Sequence, residues 1–261
     1  MMNKIINNNQ PFHMVTQSPW PLILSISMMN LFMSTSIWFN QSKFMLLIIN
    51  LILMMMIMMQ WWRDINREAT FQGCHTMKTQ TNMKIGMIMF ISSEILFFIS
   101  FFWAFFHSFL SPSIEIGNLW PPMNIEKFNS MSIPLLNTLI LITSGISLTW
   151  SHHSIIKSKF KKSKMSLMIT IMLGIYFTSI QLIEYFEAPF SISDSIFGST
   201  FFMTTGFHGF HVIIGTLFLT SCLMKLMNLN YSKKHHFSFE AASWYWHFVD
   251  IVWLFLFLSM Y

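Results

Sequence analysis

Three acidic side chains within long apolar runs are the residues of this sequence best placed to handle protons. Glu94 lies in the run 85–110, ten residues after Lys84, the last charge before the run. A helix rises about 1.5 Å per residue, so this spacing puts the carboxyl near the middle of a membrane whose hydrocarbon layer is roughly 30 Å thick. Glu184 and Asp250 occupy two later runs. Ionisable groups at such depth need a polar partner, and they predict a bundle hydrogen bond, a proton site or a lipid contact.

Two of these acids differ in the partners that the sequence offers them. Asp250 has His247 one turn earlier, which makes an intramembrane polar pair. Glu94 has only apolar residues one turn away on its own helix, most of them phenylalanines, so its partner must be another span, a lipid or a proton. Three separate acids do not make a continuous pathway, and a stand-alone proton-coupled transporter using Glu94, Glu184 and Asp250 stays an alternative hypothesis.

The histidines raise the question of a haem or a metal. His208 and His211 share one helical face in GFHGFH, while the doublets 152–153 and 235–236 flank basic loops. Imidazoles facing a common cavity could ligate haem, so a membrane cytochrome using His208, His211 and His247 is a second alternative. The spacing favours hydrogen bonds within the bundle, because the sequence contains no haem-attachment motif and no copper-type cluster. We therefore expect no metal ligand and no cofactor in this chain.

Other reaction classes find no support in the sequence. Cys74 and Cys222 lie in different segments without metal-ligand spacing, which argues against both a disulfide framework and a zinc site. No phosphate-binding glycine loop and no nucleophile elbow occurs. The net charge of +5 does not indicate nucleic-acid binding, since its distribution follows a membrane topology.

The segment around 61–75 has the residue types of a lipid-headgroup site. Trp62, Arg63, Glu68 and His75 follow the second apolar run within a polar stretch, 63–84, that we expect to be a loop. Arginine matches phosphate oxygens well, and interfacial tryptophan is a typical membrane anchor. An ordinary positively charged membrane edge would have the same composition, so both interpretations remain open on residue types alone.

The elements that position these residues are predicted to be membrane-spanning helices. The 261 residues are 54% hydrophobic and only 10% charged, against about 25% charged in a typical soluble domain. Seven apolar segments can be read, which predicts an all-α integral membrane protein. The segments are 20–40, 43–62, 85–110, 134–151, 165–187, 197–224 and 241–261.

The basic residues predict which way the helices run. With seven spans, the N-terminus and the loops after spans two, four and six hold 13 of the 15 Lys and Arg residues. The opposite side has only Lys43 and Lys127. The positive-inside rule then places the N-terminus in the cytoplasm or mitochondrial matrix and the C-terminus on the other side.

Taken together, the motifs resemble those of subunit III of mitochondrial cytochrome c oxidase. The similarity runs from about residue 12 to the end, in fourteen motifs that follow one another in order. They include QWWRDINRE at 60–68, SEILFF at 93–98, FFWAFFHS at 101–108, WSHHS at 150–154, TGFHGFHVIIG at 205–215, HHFSFEA at 235–241 and WYWHFVDIVWLFL at 244–256.

The resemblance implies an architecture and a role. Residues 1–261 would form a single integral membrane domain, with a two-helix bundle over 1–72, a five-helix bundle over 73–261 and a lipid-filled cleft between them. The chain would be a non-redox subunit of respiratory complex IV in the mitochondrial inner membrane, packed against subunit I and other subunits. Haem and copper would belong to those partners, and this chain would bind phospholipids, aid proton uptake and contain no catalytic residue.

The resemblance also assigns roles to single residues. Glu94 matches the family's intramembrane carboxylate, which reacts with carbodiimides, and it would be a largely protonated carboxyl in the cleft. Further positions fall where the family contacts lipid headgroups. These are Trp62, Arg63, Glu68, His75 and Lys225.

Overall fold

Seven long helices account for most of the chain in the computed structural model, which describes residues 11–114, 117–123, 125–233 and 235–261. All seven are long and apolar enough to cross a membrane, which confirms the predicted all-α, seven-span class. They are α1 Trp20–Gln41, α2 Met45–Thr70, α3 Met77–Leu110, α4 Ile133–Ile156, α5 Phe160–Phe186, α6 Ser195–Met227 and α7 Phe237–Met260. Two of the lysines used in the topology count, Lys4 and Lys234, lie outside the described residues.

The prediction of a loop over 63–84 is wrong for most of its length. Helix α2 continues to Thr70 and α3 already begins at Met77. Polar residues mark where a span leaves the hydrocarbon layer, but residues such as Arg, Glu, Lys and Gln form helices readily in water. The Thr76 hydroxyl accepts a hydrogen bond from the Thr79 backbone N–H at 3.4 Å and so caps the start of α3.

The chain divides into two compact units, Met1–Met83 and Lys84–Tyr261, whose limit falls inside α3. The predicted boundary after residue 72, the two-plus-five grouping of helices and the lipid-filled cleft stay predictions.

In the first unit, α1 and α2 pack against each other. Ser42, with a left-handed φ of 55°, closes α1 by donating its N–H to the Trp38 carbonyl at 2.8 Å. The Trp20 indole N–H donates to Asp64 Oδ2 at 2.6 Å and links the two helices. All of α2 is described, and none of its residues is buried. Its apolar surface therefore suits a lipid or protein environment.

In the second unit, α4, α5, α6 and α7 each pack on two of the others, which makes a ring of four helices. Trp246 of α7 lies at its centre and is fully buried. Its indole N–H donates to Ser144 Oγ of α4 at 2.9 Å. A Cβ at Gly174 would lie 2.7 Å from the Trp246 ring and one at Gly215 would lie 2.8 Å from it, so only glycine lets α5 and α6 approach this indole so closely.

The part of α3 in this unit packs on the ring through aromatic side chains. The Phe98 ring lies 5.0 Å from that of His211 on α6 and 6.1 Å from that of Phe248 on α7, between centroids. Phe98 and Phe105 are almost fully buried. The face of α3 that carries Phe98 is thereby turned toward α6 and α7.

Candidate functional site: a carboxyl–imidazole pair between two helices

Glu94 and His211 meet near the middle of α3 and α6. Glu94 Oε2 lies 2.8 Å from His211 Nε2, and the two side chains are 23% and 8% exposed. The partner of Glu94 thus comes from another helix, one of the three possibilities that the sequence left open. A hydrogen bond between ionisable groups at this depth satisfies two side chains that would be costly to leave alone in hydrocarbon.

The second ring nitrogen of His211 decides how protons are arranged in the pair. His211 Nδ1 lies 2.7 Å from the Phe207 carbonyl oxygen, which can only accept, so Nδ1 carries a hydrogen. Nε2 is then either an acceptor from a protonated Glu94 or the second donor of an imidazolium to a carboxylate. In both cases one proton lies between Nε2 and Oε2. The geometry therefore places one proton between a side chain of α3 and one of α6.

A cavity of about 580 Å³ lies beside this pair and is bounded by α3, α6 and α7. Its walls are almost entirely aromatic and aliphatic. Among the described residues that line it, Glu94 is the only carboxyl and His211 the only imidazole. Pockets of about 300–1,000 Å³ suit small organic ligands. The lining residues that carry aromatic rings are Phe90, Phe97, Phe207, Phe210, Phe218 and Tyr245, together with His211.

The second predicted pair has a looser geometry. His247 Nδ1 lies 3.7 Å from Asp250 Oδ2 on α7, which is an ion-pair distance and too long for a direct hydrogen bond. Gly145 of α4 faces this pair, since a Cβ there would lie 2.9 Å from Asp250 Oδ2. The absence of a side chain on α4 is what leaves room for the carboxylate.

The remaining intramembrane groups lie in separate surroundings. His208 is 1% exposed and contacts the rings of Phe177 and Trp253. Neither ring nitrogen of His208 has a hydrogen-bond partner within the described chain, so the expected bundle hydrogen bond is wrong for this histidine. Glu184 is buried on α5. His208, His211 and His247 thus have different neighbours and do not converge on one another.

The predicted lipid contacts are distributed over both units. Arg63 Nε lies 3.4 Å from Asp64 Oδ1, while Trp62 is 55% exposed on the same helix. Glu68 Oε2 lies 3.3 Å from His13 Nε2, and the His75 ring packs edge-on against that of His13 at 6.1 Å. These four predicted residues belong to the first unit.

Lys225 and Glu94 belong to the second unit. Lys225 is half-buried in the last turn of α6. The loop after α6 returns toward this turn, since the Asn230 backbone N–H donates to the Lys225 carbonyl at 3.0 Å. Tyr231 follows in this loop, and its hydroxyl lies 2.9 Å from Ser238 Oγ. Burial raises the pKa of the Tyr231 hydroxyl above its ordinary value, so it stays protonated.

Sequence reasoning missed two arrangements. It did not identify His211 as the partner of Glu94, although both lie near the middle of long apolar helices, and matching their depths would have suggested the pair. It also did not predict a cluster at the basic end of the second unit, where α4 and α6 end and α7 begins. The residues that meet there are Lys84, His152, His236 and Glu240. The two histidine doublets beside basic loops were the available signal.

Comparison of the sequence with known proteins identifies its family. A family model described as cytochrome c oxidase subunit III matches residues 10–261. The chain is 56% identical over 255 residues to cytochrome c oxidase subunit 3 of Locusta migratoria, covering 98% of this chain and 97% of that protein. The corresponding subunit of Drosophila melanogaster is 54% identical over 255 residues, with the same coverage. That of Pelomedusa subrufa is 52% identical over 255 residues, covering 98% of each chain. The chain therefore belongs to the cytochrome c oxidase subunit III family.

Proposed function

We propose that this chain supports cytochrome c oxidase, respiratory complex IV, through the Glu94–His211 site. The site holds an exchangeable proton, and the cavity beside it binds an acyl chain of a phospholipid. Family membership makes the chain a multi-pass inner-membrane subunit of an oxidoreductase complex. The observation that carries the finer proposal is the 2.8 Å contact between Glu94 and His211 at the wall of an apolar cavity. Within the complex, the chain stabilises the catalytic subunit, subunit I, and aids proton uptake.

The chemistry of the site supports both parts of this role. An apolar environment disfavours a lone charge, so a carboxyl and an imidazole that share one proton are stable as a neutral pair or as an ion pair. Interconversion of these two forms moves the proton between Oε2 and Nε2 without separating charge over a distance. The aromatic wall excludes water from one side of the pair and offers an apolar surface to a phospholipid chain.

In this proposal, the haem and copper groups that carry out the redox chemistry belong to partner subunits. The candidate haem ligands have different neighbours in this chain, since His211 contacts Glu94, His247 lies near Asp250 and His208 packs on aromatic rings. This supports a chain without haem or copper, whose contribution to the oxidase is structural and protonic. The exposed apolar surfaces of α1 and α2 suit lipid or neighbouring subunits.

The test compares three variants in the purified oxidase that contains this chain. Glu94→Gln keeps a hydrogen bond, because its amide N–H can donate to His211 Nε2, but it cannot release a proton. We expect unchanged haem content, loss of carbodiimide labelling and faster decline of activity during sustained turnover. His211→Leu should in addition reduce bound phospholipid, since it leaves the carboxyl unpaired at the cavity wall.

Ser92→Ala is the matched control, because Ser92 is an exposed residue of α3 that bonds only within its own helix, to the Ile88 carbonyl. Loss of haem in an otherwise assembled Glu94→Gln complex would contradict the supporting role. Turnover, labelling and lipid content identical to those of Ser92→Ala would also refute the proposal.

The orientation is part of the proposal. The basic loops would face the matrix, with the N-terminus on the matrix side and the C-terminus in the intermembrane space. Cys74 lies between α2 and α3 on the basic side. A membrane-impermeant maleimide added to intact mitoplasts should leave Cys74 unmodified and should modify it in inverted vesicles. The reverse pattern would overturn this orientation.

A further inference from the structure

Three potential metal ligands from two helix ends meet at the basic end of the second unit. His152 lies near the end of α4, His236 immediately precedes α7, and Glu240 lies in its first turn. Their ligand atoms all lie within 4.8 Å of one another. None of the three lines the cavity beside Glu94.

Two of the three separations match the edges of a tetrahedral metal site, and the third lies within the common limit of 4.8 Å. His152 Nε2 and His236 Nε2 are 3.4 Å apart, and His236 Nε2 lies 3.3 Å from Glu240 Oε1. Zinc binds imidazole nitrogen and carboxylate oxygen at about 2.0–2.1 Å, which makes the edge between two tetrahedral ligands about 3.3–3.4 Å. Both measured separations have this length.

The imidazole of His236 is oriented as a ligand by a backbone group. His236 Nδ1 donates to the Ser232 carbonyl at 3.0 Å, so its Nε2 is the nitrogen directed at the cluster. A hydrogen bond of this kind from the non-ligating nitrogen is typical of metal-binding histidines. His236 itself is 7% exposed. Its fixed ring therefore presents a lone pair between His152 and Glu240.

Lys84 places a positive charge beside the cluster, and this charge opposes the binding of a cation. Its Nζ lies 2.8 Å from Glu240 Oε2, whereas the other oxygen, Oε1, is the one nearest His236. The two carboxylate oxygens thus have separate neighbours, so Oε1 can bind an ion while Oε2 keeps its contact with Lys84. The lysine lowers the affinity for a cation without occupying the ligand position.

We propose that His152, His236 and Glu240 form a binding site for a divalent transition-metal ion, Zn²⁺ by ligand type, which links the end of α4 to the start of α7. Two imidazoles and one carboxylate are a common zinc set that leaves the fourth position to water. The ion binds the lone pairs of two neutral imidazoles, with the hydrogen of His152 placed on its Nδ1. Protonation of either ring competes with the ion, so binding weakens as the pH falls. The sequence had suggested no metal in this chain, because the three ligands are up to 88 residues apart and carry no local spacing signal.

The experiment uses the purified oxidase that contains this chain, washed with EDTA and titrated with ⁶⁵Zn²⁺ by equilibrium dialysis. We expect His152→Gln and His236→Gln each to bind about one equivalent less than the wild-type complex. Glu240→Gln should weaken the same site at least tenfold. Lys84→Met should bind the ion several-fold more tightly, since it removes the competing positive charge.

His153→Gln is the matched control, because His153 is the exposed neighbour of His152 and lies outside the cluster. This variant should keep the wild-type stoichiometry. Equal binding by wild-type, His152→Gln and His236→Gln complexes would overturn the site, and so would an equal loss in His153→Gln. A variant that fails to assemble, judged from its haem spectrum, leaves the decision to Glu240→Gln and Lys84→Met.

Discussion

Replacing Glu94 and His211 singly and together measures how strongly this pair connects α3 to α6. The variants are Glu94→Leu, His211→Leu and the double mutant, because leucine at either position removes the hydrogen bond. The relevant quantity is the coupling free energy, which is the part of the double mutant's effect that the two single effects do not account for. It isolates the interaction from the volume and polarity that each substitution changes by itself.

The structure gives the expected size of this coupling. Hydrogen bonds between membrane helices contribute about 0.6 kcal/mol on average and up to about 1.7 kcal/mol. The Glu94–His211 contact is short, at 2.8 Å, and joins two mostly buried ionisable groups. We therefore expect the pair to lie near the upper end of this range of hydrogen-bond energies. The expected coupling free energy is about 1.4 kcal/mol, which is a tenfold effect on an equilibrium constant.

The buried thiol of Cys222 provides the assay. Cys222 is 0% exposed and lies on α6, so a maleimide reaches it only when the second unit opens. In a Cys74→Ser background, the labelling rate of the Cys222 peptide, followed by mass spectrometry, reports the opening equilibrium when closing is fast. Each single substitution should speed labelling, and the double mutant should label about tenfold more slowly than the two effects combined predict.

A purely additive double mutant would refute this reasoning. Effects of independent sites add within about 0.5 kcal/mol, so a coupling below that value means that the two side chains do not share a proton in the folded protein. Ser92→Ala serves as the control and should label at the parent rate.

Two further predictions concern the packing around Trp246, and both use the same labelling assay. Gly174→Ala forces a Cβ to within 2.7 Å of the Trp246 ring, so we expect the free energy of opening the second unit to fall by about 1–3 kcal/mol. Gly86→Ala is the control, because a Cβ there has nothing within 4 Å and should leave this free energy unchanged. Ser144→Ala leaves the buried Trp246 N–H without its acceptor and should cost about 1–3 kcal/mol. Stability equal to that of Ser92→Ala would mean that this hydrogen bond contributes nothing.

The sequence predicted the number and type of helices because both follow from local composition. An uninterrupted apolar run of about 20 residues suffices to specify a membrane span, whatever surrounds it. The helix ends were less well predicted, as the extension of α2 to Thr70 and the start of α3 at Met77 show. Charged side chains end the apolar run, but the backbone continues its hydrogen bonds into the interface.

The sequence by itself determined the seven spans, the position of Glu94 within the third span and, through its motifs, the protein family. The tertiary structure alone decided that Glu94 contacts His211, 117 residues away, because apolar runs do not encode which helices become neighbours. It also decided that Gly174 and Gly215 enclose Trp246, and that His152 approaches His236. Inside a membrane most side chains are apolar on every face, so periodicity gives little information about orientation. Contacts between distant helices depend instead on close packing and on the few polar groups that must satisfy one another.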